Sequence, residues 1–182
     1  MVPEASLEQT EHGLVAKSDG WFILSARDAR WYYAEGRPAF CDFEGELDFP
    51  QLGLNITVLG PGQPMAMYHW EADQEDFLVV KGEALLIVEG EERPLRAWDF
   101  VHCPVETKHV IVGAGDQPCV VLAVGAREHQ SGPGWGGYTV DETALRHGAS
   151  VEQETNEPEE AYARYAEQRR QPTRYREDWL PG

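Results

Sequence analysis

The chain has 182 residues, with 15 Lys and Arg against 32 Asp and Glu, a formal net charge of −17. That length suits one domain with short extensions, and a hydrophobic share of 42% with 10% aromatics is too apolar for a disordered chain. So acidic a composition argues against nucleic acid or an anionic membrane as partner, because both select a basic face.

The first twenty residues lack the basic start and apolar stretch of a secretory signal. Residues 1–19 are expected to form an N-terminal arm. Trp21–Leu24, Arg30–Tyr33 and Ala39–Phe43 are aromatic-rich and predict extended segments. From there the sequence reads as short strands divided by turns, the pattern of an all-β sandwich or barrel. Leu52, Leu54, Ile56 and Val58 alternate with Gly53, Asn55 and Thr57, which predicts one buried face and one less buried. After the turn Gly60-Pro61-Gly62-Gln63-Pro64 come Met65–Trp70, Phe77–Val80, Ala84–Val88, Asp99–Cys103, Val110–Val112 and Cys119–Val124. Lys81-Gly82 and Glu89-Gly90 stand where tight turns want a glycine. The longest apolar run, Cys119–Ala126, is one strand long and far short of the ~20 residues a membrane helix needs.

Ser131–Gly137 reads as a flexible connector. Its GxGxxG match, starting at Gly132, lacks the helix and the parallel βαβ unit that a dinucleotide site requires. Asn156 with Glu159 resembles a capping box, Pro158 suits a first turn, Glu160 and Arg164 form a four-residue charge pair, and Pro172 is a stop. These predict a helix near 157–170 that packs through Tyr162, Tyr165 and Ala166. The expected organisation is an arm over 1–19, a β-barrel over 20–126, and a Gly-rich linker with a helical extension over 127–182. Cys41, Cys103 and Cys119 are an odd set with no close pair, which suits reduced thiols and an expected cytoplasmic location.

Chemistry-bearing residues gather in one stretch. His69, Glu71 and Glu75 lie within seven residues, and His109 sits in a later strand. Residues 69 and 71 share a strand face, and Glu75 begins the next strand, so facing strands of a small barrel can bring these groups to one interior point. Imidazole with carboxylate suits a divalent transition metal such as Fe, Mn, Ni, Cu or Zn. By the same parity Met65 and Met67 face inward with His69, and Lys108 faces out. His102 reads as a core or surface histidine and Cys103 as buried packing.

The stretch resembles the two sequence motifs of the cupin superfamily. In the first motif (a glycine, His-x-His, a glutamate three or four residues later, six residues and a glycine), the matching places are Gly62, His69-Trp70-Glu71, Glu75 and Gly82. In the second (glycine, five residues, Pro-x-Gly, two residues, His, three residues, Asn), they are Trp98, Pro104, Glu106, His109 and Gly113. Glu71 thus replaces a histidine, Trp98 and Glu106 replace glycines, and Gly113 replaces an asparagine. The resemblance implies an antiparallel β-barrel or jelly-roll, a homodimer, and one metal ion held by His69, Glu75 and His109. Glu71 then either completes the ligand set or stays free as a catalytic base. The function it implies is a metalloenzyme acting on a small organic substrate, as an oxygenase, isomerase or decarboxylase, with oxidoreductase chemistry preferred on the two-His, one-carboxylate option. The alternative is a non-catalytic module that binds a small ligand.

Overall fold

The computed structural model describes residues 1–130 and 134–181. The strands run β1 Leu7–Thr10, β2 Gly13–Ala16, β3 Trp31–Tyr33, β4 Ala39–Cys41, β5 Leu52–Leu59, β6 His69–Glu71 and β7 Glu75–Lys81. They continue with β8 Glu83–Val88, β9 Glu91–Arg96, β10 Phe100–Cys103, β11 His109–Ala114, β12 Cys119–Ala126, β13 Gly136–Tyr138 and β14 Gln171–Thr173. Two short helices, α1 Glu142–Arg146 and α2 Pro158–Ala161, and a 3-10 turn at Ala163–Tyr165 lie between the last two strands.

Two antiparallel sheets face each other as a jelly-roll without closing into a barrel. One has the order β10-β7-β12-β5-β4-β3-β14, the other β13-β6-β11-β8-β9, and β1 with β2 forms a separate hairpin. The alternation of each strand decides what meets between them. Leu59, Phe77, Val79, Leu86, Ile111 and Val121 form the inner core. Their odd-and-even neighbours Ile56, Val58 and Val120 point the other way, against Trp31, Cys41 and Trp179. Tyr68, Ile87, Val110 and Val112 do the same on the other sheet, beneath Ala144 of α1 and Ala149. The apolar set of β5 therefore lies on the outer face, and Asn55 and Thr57 line the interior cavity. A strand buried on both faces does not reveal from its sequence which face looks inward.

The middle of the chain follows the expected strands closely; the termini do not. Residues 1–19 include a hairpin, and Trp21 makes only an isolated bridge to Glu4. Gly136 and Gly137, expected in the connector, belong to β13 and pair with Glu71 and Trp70, whereas Ser131–Pro133 lie outside the described residues. A Cβ on Gly136 would stand 2.3 Å from the Trp70 carbonyl oxygen, so this glycine serves close strand approach and not flexibility. The predicted helix over 157–170 is broken into α2 and the 3-10 turn. Glu157 is its N-cap, with no side-chain cap bond; Thr155 Oγ1 accepts from the Glu157 N–H and donates to Glu160, in place of the Asn156 capping box. Arg164 turns away from Glu160 to donate to Ser150 O (3.0 Å), Ala166 is exposed, and Ala161 is buried instead. Pro172 sits in edge strand β14, where its missing N–H costs no ladder bond. Helix α1, in a stretch for which the sequence predicts no element, is capped by Asp141 accepting from the Ala144 N–H at 2.8 Å.

Three turns take left-handed backbone. The β8–β9 hairpin has a two-residue turn with Glu89 at φ 48° and Gly90 at φ 78°, the signs a type I′ turn demands. Trp98 and Glu106, which stand at the motif's glycine places, both adopt positive φ, 75° and 65°. A bulky residue there costs about 1–2 kcal/mol. Trp98 is 73% exposed, so its ring returns little of that through packing. Trp98→Gly is expected to raise stability by about 1 kcal/mol in urea denaturation; an unchanged or lowered midpoint would show that the exposed ring stabilises the fold.

Candidate metal centre and cavity

Strand β6 carries His69 and Glu71, β7 starts with Glu75, and β11 starts with His109. His109 and His69 are directly opposite across the β11–β6 pairing, and Glu75 arrives from the facing sheet. The two ring centroids are 4.9 Å apart. Glu75 Oε2 lies 3.2 Å from His109 Nε2 and 3.6 Å from His69 Nε2, and donor atoms of all three residues fall within 4.8 Å of one another. Ligand bonds of about 2.1 Å to a common ion impose separations of this order.

The hydrogen bonds orient both imidazoles for ligation. His69 Nδ1 is 2.8 Å from Met67 O, and His109 Nδ1 is 3.0 Å from Thr107 O. A carbonyl oxygen only accepts, so each Nδ1 carries the proton and each neutral ring turns the Nε2 lone pair to the centre. His109 Nε2 and Glu75 Oε2 are buried and have no hydrogen-bond partner. Unpaired polar atoms at such a depth are uncommon, and a cation shared among them is what they lack. The residues present therefore fit a divalent transition metal.

Glu71 stands beside this group and not within it. Its Oε1 is 3.7 Å from His69 Nε2, and its backbone carbonyl accepts from the Glu106 N–H at 2.8 Å. The positive-φ turn at Glu106 thus anchors Glu71, and the next residue, Thr107, orients His109. Trp70 shares the strand and faces away. Met65 lines the cavity with His69, whereas Met67 packs against Tyr138, Val151 and Ala161. The parity argument fails at Met67 because residues 65–68 are bends and irregular chain, not strand. Lys108 is exposed, as expected; His102 pairs with Asp76 at 2.7 Å on the surface, and Cys103 is buried. A second group, Asp73 with Glu128 and His129, reads as a tie between segments, since His129 donates to Asp73 from its backbone N–H (2.8 Å) and its Nδ1 (2.7 Å).

The cluster opens into a cavity of about 300 Å³. Its wall includes Asn55, Thr57, Phe77 and Ile111 from the sheets, with Tyr138, Tyr162 and Arg170 from the C-terminal third. Sequence spacing could not find the last three, which lie 29 or more positions beyond His109 and reach the cavity only through β13 and the broken helix. Tyr138 stacks obliquely on His69 at 5.9 Å and edge-on against Tyr162 at 5.6 Å. Burial, with the negative charge nearby, raises the Tyr138 hydroxyl well above the usual tyrosine range, so it remains a donor.

A family model for the cupin domain matches residues 55–125. No curated protein matches the sequence. Among solved structures, a putative sugar phosphate isomerase of Acidithiobacillus ferrooxidans is 28% identical, covering 42% of this chain and 51% of that one with a TM-score of 0.41. A cupin sugar phosphate isomerase of Silicibacter pomeroyi is 27% identical, covering 50% and 59% with a TM-score of 0.44. This chain thus spans only about half of each of those proteins. A predicted oxalate decarboxylase of Thermotoga maritima, 17% identical, matches 58% of this chain and 98% of that one with a TM-score of 0.50, which is a likeness of fold.

In the metal-free protein, protons take the place of the cation. Burial pulls His69 down, but hydrogen bonding and charge from Glu71 and Glu75 outweigh it and leave its pKa raised. Burial likewise lowers His109, and Cys103 and Glu75 more than reverse it. Burial raises Glu75, and His109 and His69 bring it well below the carboxylate range. The histidine contribution to stability is therefore full below about pH 6.5 and lost as pH rises through the raised folded values; the Glu75 contribution is present above about pH 4.5 and lost as pH falls through its lowered one. Urea midpoints of EDTA-treated protein are expected to fall on both the acid and the alkaline side of that window. Saturating metal is expected to remove the alkaline loss, because the bound ion replaces the protons.

Proposed function

We propose that this protein is a metal-dependent enzyme that processes a small organic substrate in the cavity between its sheets, with His69, Glu75 and His109 as ligands and Glu71 as proton carrier. The observation that supports this best is the pair of buried, unpartnered atoms, His109 Nε2 and Glu75 Oε2, facing the lone pair of His69 Nε2. A divalent ion held there supplies Lewis-acid polarisation of a ligand oxygen. Glu71 lines the same cavity outside the three-residue group, where a carboxylate can take a proton from a substrate and return it. Met65, Phe77 and Ile111 give the cavity an apolar wall, and Tyr138 offers a hydroxyl donor. Proton transfer beside a polarised oxygen, as in isomerisation or decarboxylation, is the reaction class this arrangement favours.

The three-ligand set with Glu71 outside it also favours a second reading, oxygen chemistry at non-haem iron, which uses two histidines and one carboxylate with open positions. Inclusion of Glu71 as a fourth ligand would instead favour the ligand-binding module.

Elemental analysis of protein purified without chelators is expected to find about one equivalent of a divalent first-row metal per chain. His109→Ala is expected to lose it, and Glu71→Gln to keep it. Metal loss in Glu71→Gln would make Glu71 a ligand, and a wild type that stays empty after reconstitution would remove the metalloenzyme reading. Iron with substrate-dependent oxygen uptake would select the oxygenase; turnover without oxygen selects proton transfer.

A further inference from the structure

Arg170 brings a cation into the wall of the same cavity. It comes from the segment between the 3-10 turn and β14, far outside the cupin domain. Its Nε donates to Pro38 O at 2.9 Å, and its guanidinium lies over the Phe40 ring at 5.2 Å. One hydrogen bond and one ring face therefore fix the head group. Its terminal nitrogens have no protein acceptor, and no carboxylate pairs with it among the described residues, in a chain that carries 32 acidic residues. Arg37, close enough to repel it, sits on the Tyr162 and Tyr165 rings at 5.5 and 4.3 Å and likewise has no carboxylate partner. Burial first and Arg37 second lower the pKa of Arg170 to about 10. Two neighbouring guanidinium groups without a counter-charge are unfavourable unless an anion joins them.

The charge at the other end of the cavity points the same way. Glu71 and Glu75 line that end with two carboxyl groups beside the histidines, so the attraction for an anion has to come from elsewhere in the cavity wall. A volume of about 300 Å³ is at the small end for ligand sites and holds about ten non-hydrogen atoms.

We propose that Arg170 is the anion-binding residue of the cavity: its free terminal nitrogens hold the carboxylate or phosphate group of a small organic anion whose remaining oxygens face His69, Glu75 and His109. This rests on the reading of the cavity as a substrate site, and it makes the substrate an organic acid or a phosphate ester. The planar fork suits either oxyanion through two parallel hydrogen bonds.

The test is isothermal titration of wild type, Arg170→Gln and Arg170→Lys with malonate, inorganic phosphate and the neutral malonamide, in EDTA-treated and metal-loaded protein of measured metal content. Wild type is expected to bind malonate or phosphate saturably and malonamide not at all. Arg170→Gln is expected to weaken the anion roughly tenfold to a hundredfold, and Arg170→Lys to recover part of it, with metal content equal in all three. Preference for malonate assigns a carboxylate substrate and preference for phosphate a phosphoryl one. Equal anion affinity in wild type and Arg170→Gln, or no saturable binding of either anion, overturns the proposal. Arg170-dependent binding in a protein that never takes up metal would sustain it while removing the metalloenzyme reading. Should Arg170→Gln fail to fold, phenylglyoxal modification of the wild type, mapped by peptide mass spectrometry, decides: protection of Arg170 by the anion supports the assignment, and an unchanged rate overturns it.

Discussion

A carboxylate between two sheets is costly unless positive charge is aimed at it, and Glu75 meets that condition because strands from both sheets converge on it. Glu75 comes from the seven-stranded sheet, His69 and His109 from the five-stranded one. The pairing of β11 with β6 sets His109 opposite His69, and a slip of one residue would turn an imidazole to the outer face. Register is held elsewhere, by the six-residue ladder of β11 with β8 and the eight-residue ladder of β12 with β5. The apolar core that drives those pairings is thus what positions the polar cluster.

The turns complete the arrangement. Trp98 and Glu106 occupy places where the cupin pattern has glycine, yet the backbone keeps the left-handed conformation that glycine permits. At Glu106 the strained turn has a visible role, since its N–H fixes the Glu71 carbonyl and the following Thr107 carbonyl sets the His109 tautomer. Strain of this kind persists where the surroundings over-determine the conformation.

The C-terminal third gives the cavity its individual character. The family domain ends at residue 125, and the metal-ligating candidates all lie within it. Tyr138, Tyr162 and Arg170 come after it and reach the cavity because β13 extends the smaller sheet and the chain then doubles back to pair β14 with β3. Trp179 closes this return by packing on Trp31 at 4.9 Å, which ties the two ends of the chain into one outer layer. The candidate metal ligands and this part of the cavity wall therefore come from different stretches of sequence.

Most of the jelly-roll was legible because its signals are local: apolar runs of strand length, the Gly82 and Gly90 turns, and the spacing of His69, Glu75 and His109. Strand parity predicted Lys108 outward and failed at Met67, where bends and irregular chain replace the strand. Local signals also misled near the C-terminus. Asn156 and Glu159 have the spacing of a capping box, but Thr155 and the packing of Ala161 decided where α2 starts and stops. Gly136 and Gly137 read as a linker because glycine marks both flexible chain and close strand contact, and only their neighbours distinguish the two, the Trp70 carbonyl at Gly136 and the Asn156 and Trp70 side chains at Gly137. By itself the sequence determined the strand pattern and the donor atoms available, since both follow from side-chain chemistry and periods of a few residues. Tertiary structure alone decided which face of β5 looks inward, that Glu71 stands outside the three-residue group, and that Arg170 enters the cavity, because each depends on contacts between residues distant in the chain.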